Sequence, residues 1–277
     1  MTVVLHMSDP HFGTEQPAVA DALRRFTHEQ SPALLILSGD ITQRARPGEF
    51  AAARAFVDAL GIARRLVIAG NHDIPLFNPA ARLLTPYANY CEAFGPELEP
   101  VLDTPEVLII GVKTTRRMRH IDGEVSAQQI ERVAGRLKSA RAAQLRIVVT
   151  HQPVFVINPE DEDDLLHGRE PAIKSWAQAG ADLILGGHIH RPYTAALHER
   201  IAGLPRRLWA VQAGTALSSR IRHEVGNSVN LIRYHGIEAS GAASLRRCTV
   251  ERWDYTPARS AFTLAGTLEA NWESAST

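Results

Sequence analysis

A chain of 277 residues with 45% hydrophobic and 22% charged residues carries enough apolar material for a sizeable core, which excludes disorder as its global state. Thirty Lys plus Arg balance thirty Asp plus Glu, so the bulk composition lacks the basic excess of a long polynucleotide groove and makes nucleic acid an unexpected partner. Met1 runs into Thr2-Val3-Val4-Leu5 without a basic leader or cleavage site, and the longest apolar runs fall far short of a membrane span. Cys91 and Cys248 lie far apart with no metal spacing, so a cytoplasmic protein with two reduced thiols is expected.

Taken in chain order, the first half reads as strand, loop, helix, repeated. Val3 to Met7 is a short apolar run, and Pro17 to Gln30 places Val19, Leu23 and Phe26 on one helical face. Leu34 to Leu37 is the second strand, ending at Ser38-Gly39-Asp40. Pro47 suits the first turn of the next helix, where Phe50, Ala53, Val57 and Leu60 keep the period. Arg65 to Ala69 is the third strand and ends at Gly70-Asn71-His72-Asp73.

The second half repeats the theme with wider spacing. Val107 to Val112 reads as a strand, and Ser126 with Gln129 makes a capping box before Ile130, Val133 and Leu137. Ile147 to Thr150 leads into His151-Gln152-Pro153. A polar stretch from Asn158 to Glu170 precedes a helix near Ala172 to Ala179, and Asp182 to Leu185 ends at Gly186-Gly187-His188-Ile189-His190. Strands without clear helices follow at Arg207 to Gln212, Ser228 to Tyr234 and Ser244 to Asp254, and they suggest a second sheet. The expected architecture is a two-sheet α/β sandwich forming one domain over residues 1–256, with 257–277 as a tail that Trp272 anchors in part.

Five apolar runs thus end in ligand-type side chains: Asp9-Pro10-His11, Gly39-Asp40, Gly70-Asn71-His72-Asp73, His151 and His188-Ile189-His190. In open α/β sheets the crevice beyond the carboxyl ends of the strands binds ligands, so neighbouring strand ends would gather all five at one rim. Oxygen and imidazole donors without thiolate suit Mn, Fe, Zn or Ni better than Mg or Ca alone. Seven candidates are too many for one four-coordinate ion and fit two ions sharing a bridge.

These blocks resemble, in order and between residues 9 and 190, those of the calcineurin-like metallophosphoesterases, and the length is similar to their bacterial cyclic-nucleotide phosphodiesterase branch. The resemblance implies a four-layer α/β/β/α sandwich of two mixed sheets. It implies Asp9, His11 and His190 on one metal, Asn71, His151 and His188 on a second, and Asp40 bridging them. The two cofactor ions would be Mn and/or Fe in the first place, with Zn, Ni or Co also accepted. A hydroxide bridging metals about 3.5–4 Å apart would attack phosphorus in line, and His72 would protonate or stabilise the leaving oxygen. Asp73 would be a supporting residue. Gln152 stands where many relatives have a second His, a position that is not a usual ligand.

The substrate implied is a small phosphorylated molecule, with diester hydrolysis favoured. Alternatives are a pyrophosphatase acting on a UDP-diacylglucosamine-type lipid precursor, a DNA or RNA nuclease, and a scaffold without chemistry. Arg116 and Arg117, in a basic run with Arg119 and His120, are candidates to hold substrate phosphate, since Arg suits bidentate contact with its oxygens. Arg220 and Asn227 are further candidates, in a polar stretch from Gly214 to Asn230. The acidic run Glu160 to Asp164 reads as a solvated loop or a lid. His6, His28, His120, His167, His198, His223 and His235 read as ordinary surface or core residues.

Overall fold

β1 (Thr2–Met7), β2 (Leu34–Leu37) and β3 (Arg64–Val67) run parallel, joined by α1 (Pro17–Gln30) and α2 (Pro47–Ala59). Both helices start on proline, whose fixed φ suits a first turn and whose missing N–H has no helical partner to lose there. After β3 the chain makes two short helices, α3 (Pro79–Leu84) and α4 (Ala88–Phe94), and a short strand, β4 (Val101–Asp103). The structure is a computed structural model and describes residues 1–119, 121–222, 225–240 and 243–273.

The second half places β5 (Val107–Gly111), β6 (Leu145–Val149) and β7 (Leu183–Gly186) in parallel, connected through α5 (Ala127–Lys138) and α6 (Arg169–Ala179). Ser126 caps α5 as expected: its hydroxyl accepts from the Gln129 N–H, and Gln129 Oε1 accepts from the Ser126 N–H. β8 (Tyr193–Ala196), α7 (Leu197–Arg200) and β9 (Trp209–Gln212) follow. The chain then makes three long antiparallel strands, β10 (Ser228–Ser240), β11 (Ala243–Thr256) and β12 (Ala261–Glu273).

Each sheet has six strands, in the orders β12-β11-β10-β1-β2-β3 and β4-β5-β6-β7-β9-β8. The second sheet is therefore built mainly by the second βαβ half, and of the trailing strands only β9 joins it, beside β7. β10 instead pairs antiparallel with the open edge of β1 and extends the first sheet. Residues beyond 256, whose packing the sequence left open, supply β12, with Trp272 buried against Trp209 of the other sheet.

Alternation along the strands sends one set of side chains between the sheets and the other toward the helices. Val4, Ile36 and Leu66 meet Ile109, Ile147 and Leu185 in the inter-sheet core. Leu5 and Leu35 pack with Leu23, Phe50 and Val57 of α1 and α2, while Val148 and Ile184 pack with Val133, Leu137 and Trp176 of α5 and α6. The result is a four-layer α/β/β/α sandwich, each buried Leu or Val stabilising it by about 1.5–3 kcal/mol. Among the described residues no helix is long and apolar enough to cross a membrane. The parallel strands of both sheets point their carboxyl ends to one rim.

Candidate metal centre

The loops leaving β1, β2, β3, β6 and β7 bring all seven sequence-predicted ligand residues together, and every one of them is buried. The ligand atoms of Asp9, His11, Asp40 and His190 lie within 4.8 Å of one another, as do those of Asp40, His151 and His188. Asp40 belongs to both groups: its Oδ1 is 3.2 Å from His151 Nε2 and its Oδ2 is 3.6 Å from His11 Nε2. Asn71 completes the second group, its Oδ1 lying 3.1 Å from His151 Nε2 and 3.0 Å from His188 Nδ1.

The backbone is bent to make this possible. Eight non-glycine residues among those described have positive φ, and five of them are Asp9, His11, Asp40, His188 and His190. Such conformations cost about 1–3 kcal/mol each and persist where surrounding structure enforces them. Glycine permits the crowding at two points. A Cβ on Gly70 would lie 2.1 Å from the Asp40 nitrogen, and one on Gly187 would lie 1.9 Å from Ser8 Oγ.

Second contacts fix which nitrogen of each histidine faces inward. His151 Nδ1 donates to Ser38 O at 2.8 Å and His190 Nδ1 to Arg220 O at 2.6 Å, which leaves both Nε2 lone pairs aimed at the cluster. His188 is turned the other way, with Nδ1 inward and Nε2 3.3 Å from Asp164 Oδ1. Burial pushes His11 down to about 3, so that it is neutral. Burial also opposes the charge on Asp40, but His151 and His72 beside it hold its carboxyl well below the usual range. Burial disfavours a charged His151 too, and Asp40 overrides this and raises it to about 9, so a metal ion has to displace a proton from Nε2 to reach that lone pair.

The site fits metal ions by a second criterion. Asp9 Oδ1 is buried and makes no hydrogen bond, although imidazole nitrogens lie 3.8 and 3.3 Å away. Four inward-facing His nitrogens, two carboxylates and one amide oxygen, with no thiolate, form a donor set for borderline transition ions.

His72 sits at the mouth of this cluster. Its N–H donates to Asp40 Oδ1 at 2.8 Å and its Nδ1 to Gln43 O at 2.9 Å, so Nε2 faces the rim, 4.0 Å from Asp40 Oδ2. Arg220 joins it there, Nη1 standing 3.0 Å from His72 Nε2 and 3.2 Å from Gln43 Oε1. Asp73 lies behind, accepting from the N–H groups of Gly70, Ile41 and Thr42 and bracing the loop. Gln152 bonds Thr114 and Ile121 O and takes no part in the cluster.

The other candidate substrate residues are committed elsewhere. Arg116 donates to Gln129 and to Lys113 O, and Arg117 donates to Leu83 O. Asn227 is buried, holding Ser218 O and accepting from Gln16. His120 and His223 lie outside the described residues. Of the remaining histidines, His6, His198 and His235 make hydrogen bonds within the fold, and His28 and His167 are exposed.

Asp164 is the residue that sequence patterning missed. The acidic run is a short 3-10 helix, Pro159–Asp164, clamped by Arg191 through Glu160 and Asp161. Arg191 directly follows His190, and that adjacency of a basic residue to a ligand block was the available signal.

The family model for calcineurin-like phosphoesterases matches residues 2–192. A probable cyclic nucleotide phosphodiesterase of Synechococcus sp. is 29% identical over 166 residues, a match that spans 60% of this chain and 60% of that relative's length. Among solved structures, a purple acid phosphatase from yellow lupin (Lupinus luteus) aligns with a TM-score of 0.69 at 12% identity, covering 97% of this chain and 53% of that one. A dimetal phosphatase from Danio rerio aligns with a TM-score of 0.62 at 11% identity, covering 97% and 98%. At these identities the two structures speak for the fold alone. The family match over two thirds of the chain, carrying every ligand block, makes this protein a member of the calcineurin-like phosphoesterase family.

Proposed function

We infer that this protein is a dinuclear metal-dependent phosphoesterase, and that it hydrolyses phosphodiester bonds of a small nucleotide-type substrate. One observation carries the inference: seven buried donors converge as two groups that share Asp40. Asp9, His11 and His190 would hold one ion, Asn71, His151 and His188 the other, and Asp40 would serve both. Mn and/or Fe are the ions we expect first, with Zn, Ni or Co compatible with the same donors. Such a pair supplies a lowered pKa for water and positive charge for phosphoryl oxygens.

The chain's own part follows from the rim. His72 Nδ1 is held by Gln43 O, so Nε2 is the nitrogen that meets the leaving oxygen, and in the imidazolium form its Nε2–H would protonate that oxygen or stabilise its charge. The Arg220 guanidinium beside it presents donors to a phosphate oxygen on the same side. The relative from Synechococcus, a probable cyclic nucleotide phosphodiesterase, supports the diester preference. A cytoplasmic setting agrees with Cys91 and Cys248 being unpaired.

A second candidate substrate has its own observation. Leu83 and Leu84 of α3 are exposed, as are Met118 and Ile121, and Arg82 ties α3 to residues 117–119 by donating to Arg117 O and Arg119 O. An exposed apolar patch of this kind favours a lipid-bearing substrate such as a UDP-diacylglucosamine-type pyrophosphate.

The test is to purify without chelator, measure metals, and assay bis-p-nitrophenyl phosphate against p-nitrophenyl phosphate with added Mn²⁺. Two equivalents of metal with diester turnover are expected, and His72→Ala should lower turnover about 10²–10⁴-fold with metal content intact. Preference for the monoester would redirect the assignment to a phosphatase. Failure to bind metal under any reconstitution would end it.

A further inference from the structure

Beside the metal cluster, opening on its His72 side, lies a cavity of about 130 Å³. Asn71 and His72 of the candidate centre line it, together with Gln43, Arg44, Ile74, Leu76 and Phe77. None of the last three was singled out by sequence pattern. Ile74 is buried, but Leu76 is 41% and Phe77 74% exposed, in a chain whose other phenylalanines are buried or half-buried. The Arg44 guanidinium stands 5.3 Å from the Phe77 ring centroid, within cation–π range.

An aromatic face left at the lip of a cavity is costly in water and useful to a flat ligand. Rings stack on Phe and on guanidinium planes, and bases are received in this way because every base has a π-face. Gln43 adds an amide that can read polar ring edges, although its Oε1 accepts from Arg220 in this structure. The cavity shares Asn71 and His72 with the candidate metal centre, so a group seated in it is attached near the phosphorus.

We propose that Phe77 and Arg44 form a base-binding subsite, which seats the planar ring of a nucleotide substrate beside His72 and sets substrate choice. The subsite rests on the phosphoesterase function proposed above, and its action is on binding: Phe77 touches the ring and not the reacting phosphate.

Calorimetric titration of the Mn²⁺-loaded protein with AMP, UMP and ribose 5-phosphate tests it, since all three carry a phosphomonoester and only the first two a base. At least one nucleotide should bind roughly tenfold tighter than ribose 5-phosphate. Phe77→Ala should remove that advantage, Phe77→Trp should restore it, and ribose 5-phosphate affinity should stay unchanged in both. In turnover of a base-bearing diester, Phe77→Ala should raise KM and leave kcat near the wild-type value. Equal affinities in the wild type, no measurable nucleotide binding, or a loss in Phe77→Ala shared by all three ligands would overturn the subsite. Failure of the phosphoesterase function shows separately, as a wild-type protein that binds nucleotide but turns over neither bis-p-nitrophenyl phosphate nor p-nitrophenyl phosphate.

Discussion

β7 is four residues long and separates two buried charged clusters of opposite character. Before it lies Asp182, fully buried between the sheets. Arg246 grips both its oxygens at 2.7 and 2.9 Å, Arg206 binds it from the side, and the Arg146 N–H donates at 2.9 Å. Beyond the strand lie His188 and His190, in the cluster where Asp9 Oδ1 has no hydrogen bond and five ligand candidates adopt positive φ. None of the charged residues around Asp182 is so strained. A cluster built for stability closes its lone pairs on its own donors; a cluster built for a ligand points them at one another and bends the backbone to do so. Burial and charge alone do not separate the two.

Exchanging the consequences of mutation between the clusters would break this contrast. The largest effect is expected at Asp40, the residue common to both metal groups. Asp40→Asn should lower turnover by more than the roughly 100-fold that loss of a supporting contact costs, and should empty at least one site by metal analysis. Its thermal stability should also become less sensitive to chelator than the wild type's. Full occupancy of both sites in Asp40→Asn would remove the bridge. At the other end of β7, Asp182→Ala leaves Arg246 and Arg206 buried without their carboxylate and should destabilise the protein by about 3–5 kcal/mol, read from denaturant midpoints. Metal content of the folded protein should not change. A variant of normal stability and poor metal content would mean that Asp182 belongs to the site after all.

The two clusters were not equally visible in the sequence. The ligand blocks were legible because each is local: a short apolar strand followed within a few residues by Asp, Asn or His, with glycine marking the turn at Asp40, Asn71 and His188. Asp182 looked like the start of a strand, since its partners Arg206 and Arg246 are 24 and 64 positions away. Distance in sequence hid other features for the same reason. β10 joins β1 across the chain, so that helix-free strands at the end could be read as a separate sheet. The strain at Asp9 and His190 was silent because only glycine advertises positive φ. Arg116 and Asn227 had the right chemistry for phosphate, and only the folded chain shows Gln129 and Ser218 taking their donors.

Asp164 tests whether the ligand cluster extends to its supporting contacts. Its Oδ1 stands 3.3 Å from His188 Nε2, the nitrogen facing away from the other ligands, and Arg222 is 3.9 Å from its other oxygen. His188 Nε2 makes no hydrogen bond of regular geometry here, and a carboxylate so close acts through its charge, favouring the proton on Nε2 and raising the basicity of the inward nitrogen. Asp164→Asn should therefore weaken metal binding about 10–100-fold, measured by competition with a chelating dye, with little change in stability of the metal-free protein. Unchanged affinity would return the acidic run to the status of a solvated flank.

His6 offers the smallest and sharpest test, because it is a buried histidine on β1, three residues before Asp9, yet satisfied like Asp182. Its Nε2 donates to Ser38 Oγ at 2.9 Å, and Asn230 Nδ2 donates to its Nδ1 at 3.4 Å, so the neutral ring uses both nitrogens. Burial pushes it from 6.5 down to about 3. The unfolded chain then binds a proton between those values that the folded chain does not, so stability is fully present above pH 6.5 and falls as pH drops toward 3. Between pH 7.5 and 5.5 this one ring should withdraw on the order of 1 kcal/mol. Urea midpoints of chelator-treated wild type and His6→Gln, compared at both pH values, isolate its share from that of the ligand histidines. A pH slope identical in the two proteins would mean that His6 takes up its proton in the folded state, and that the fold, not the metal site alone, tolerates an unsettled imidazole in its interior.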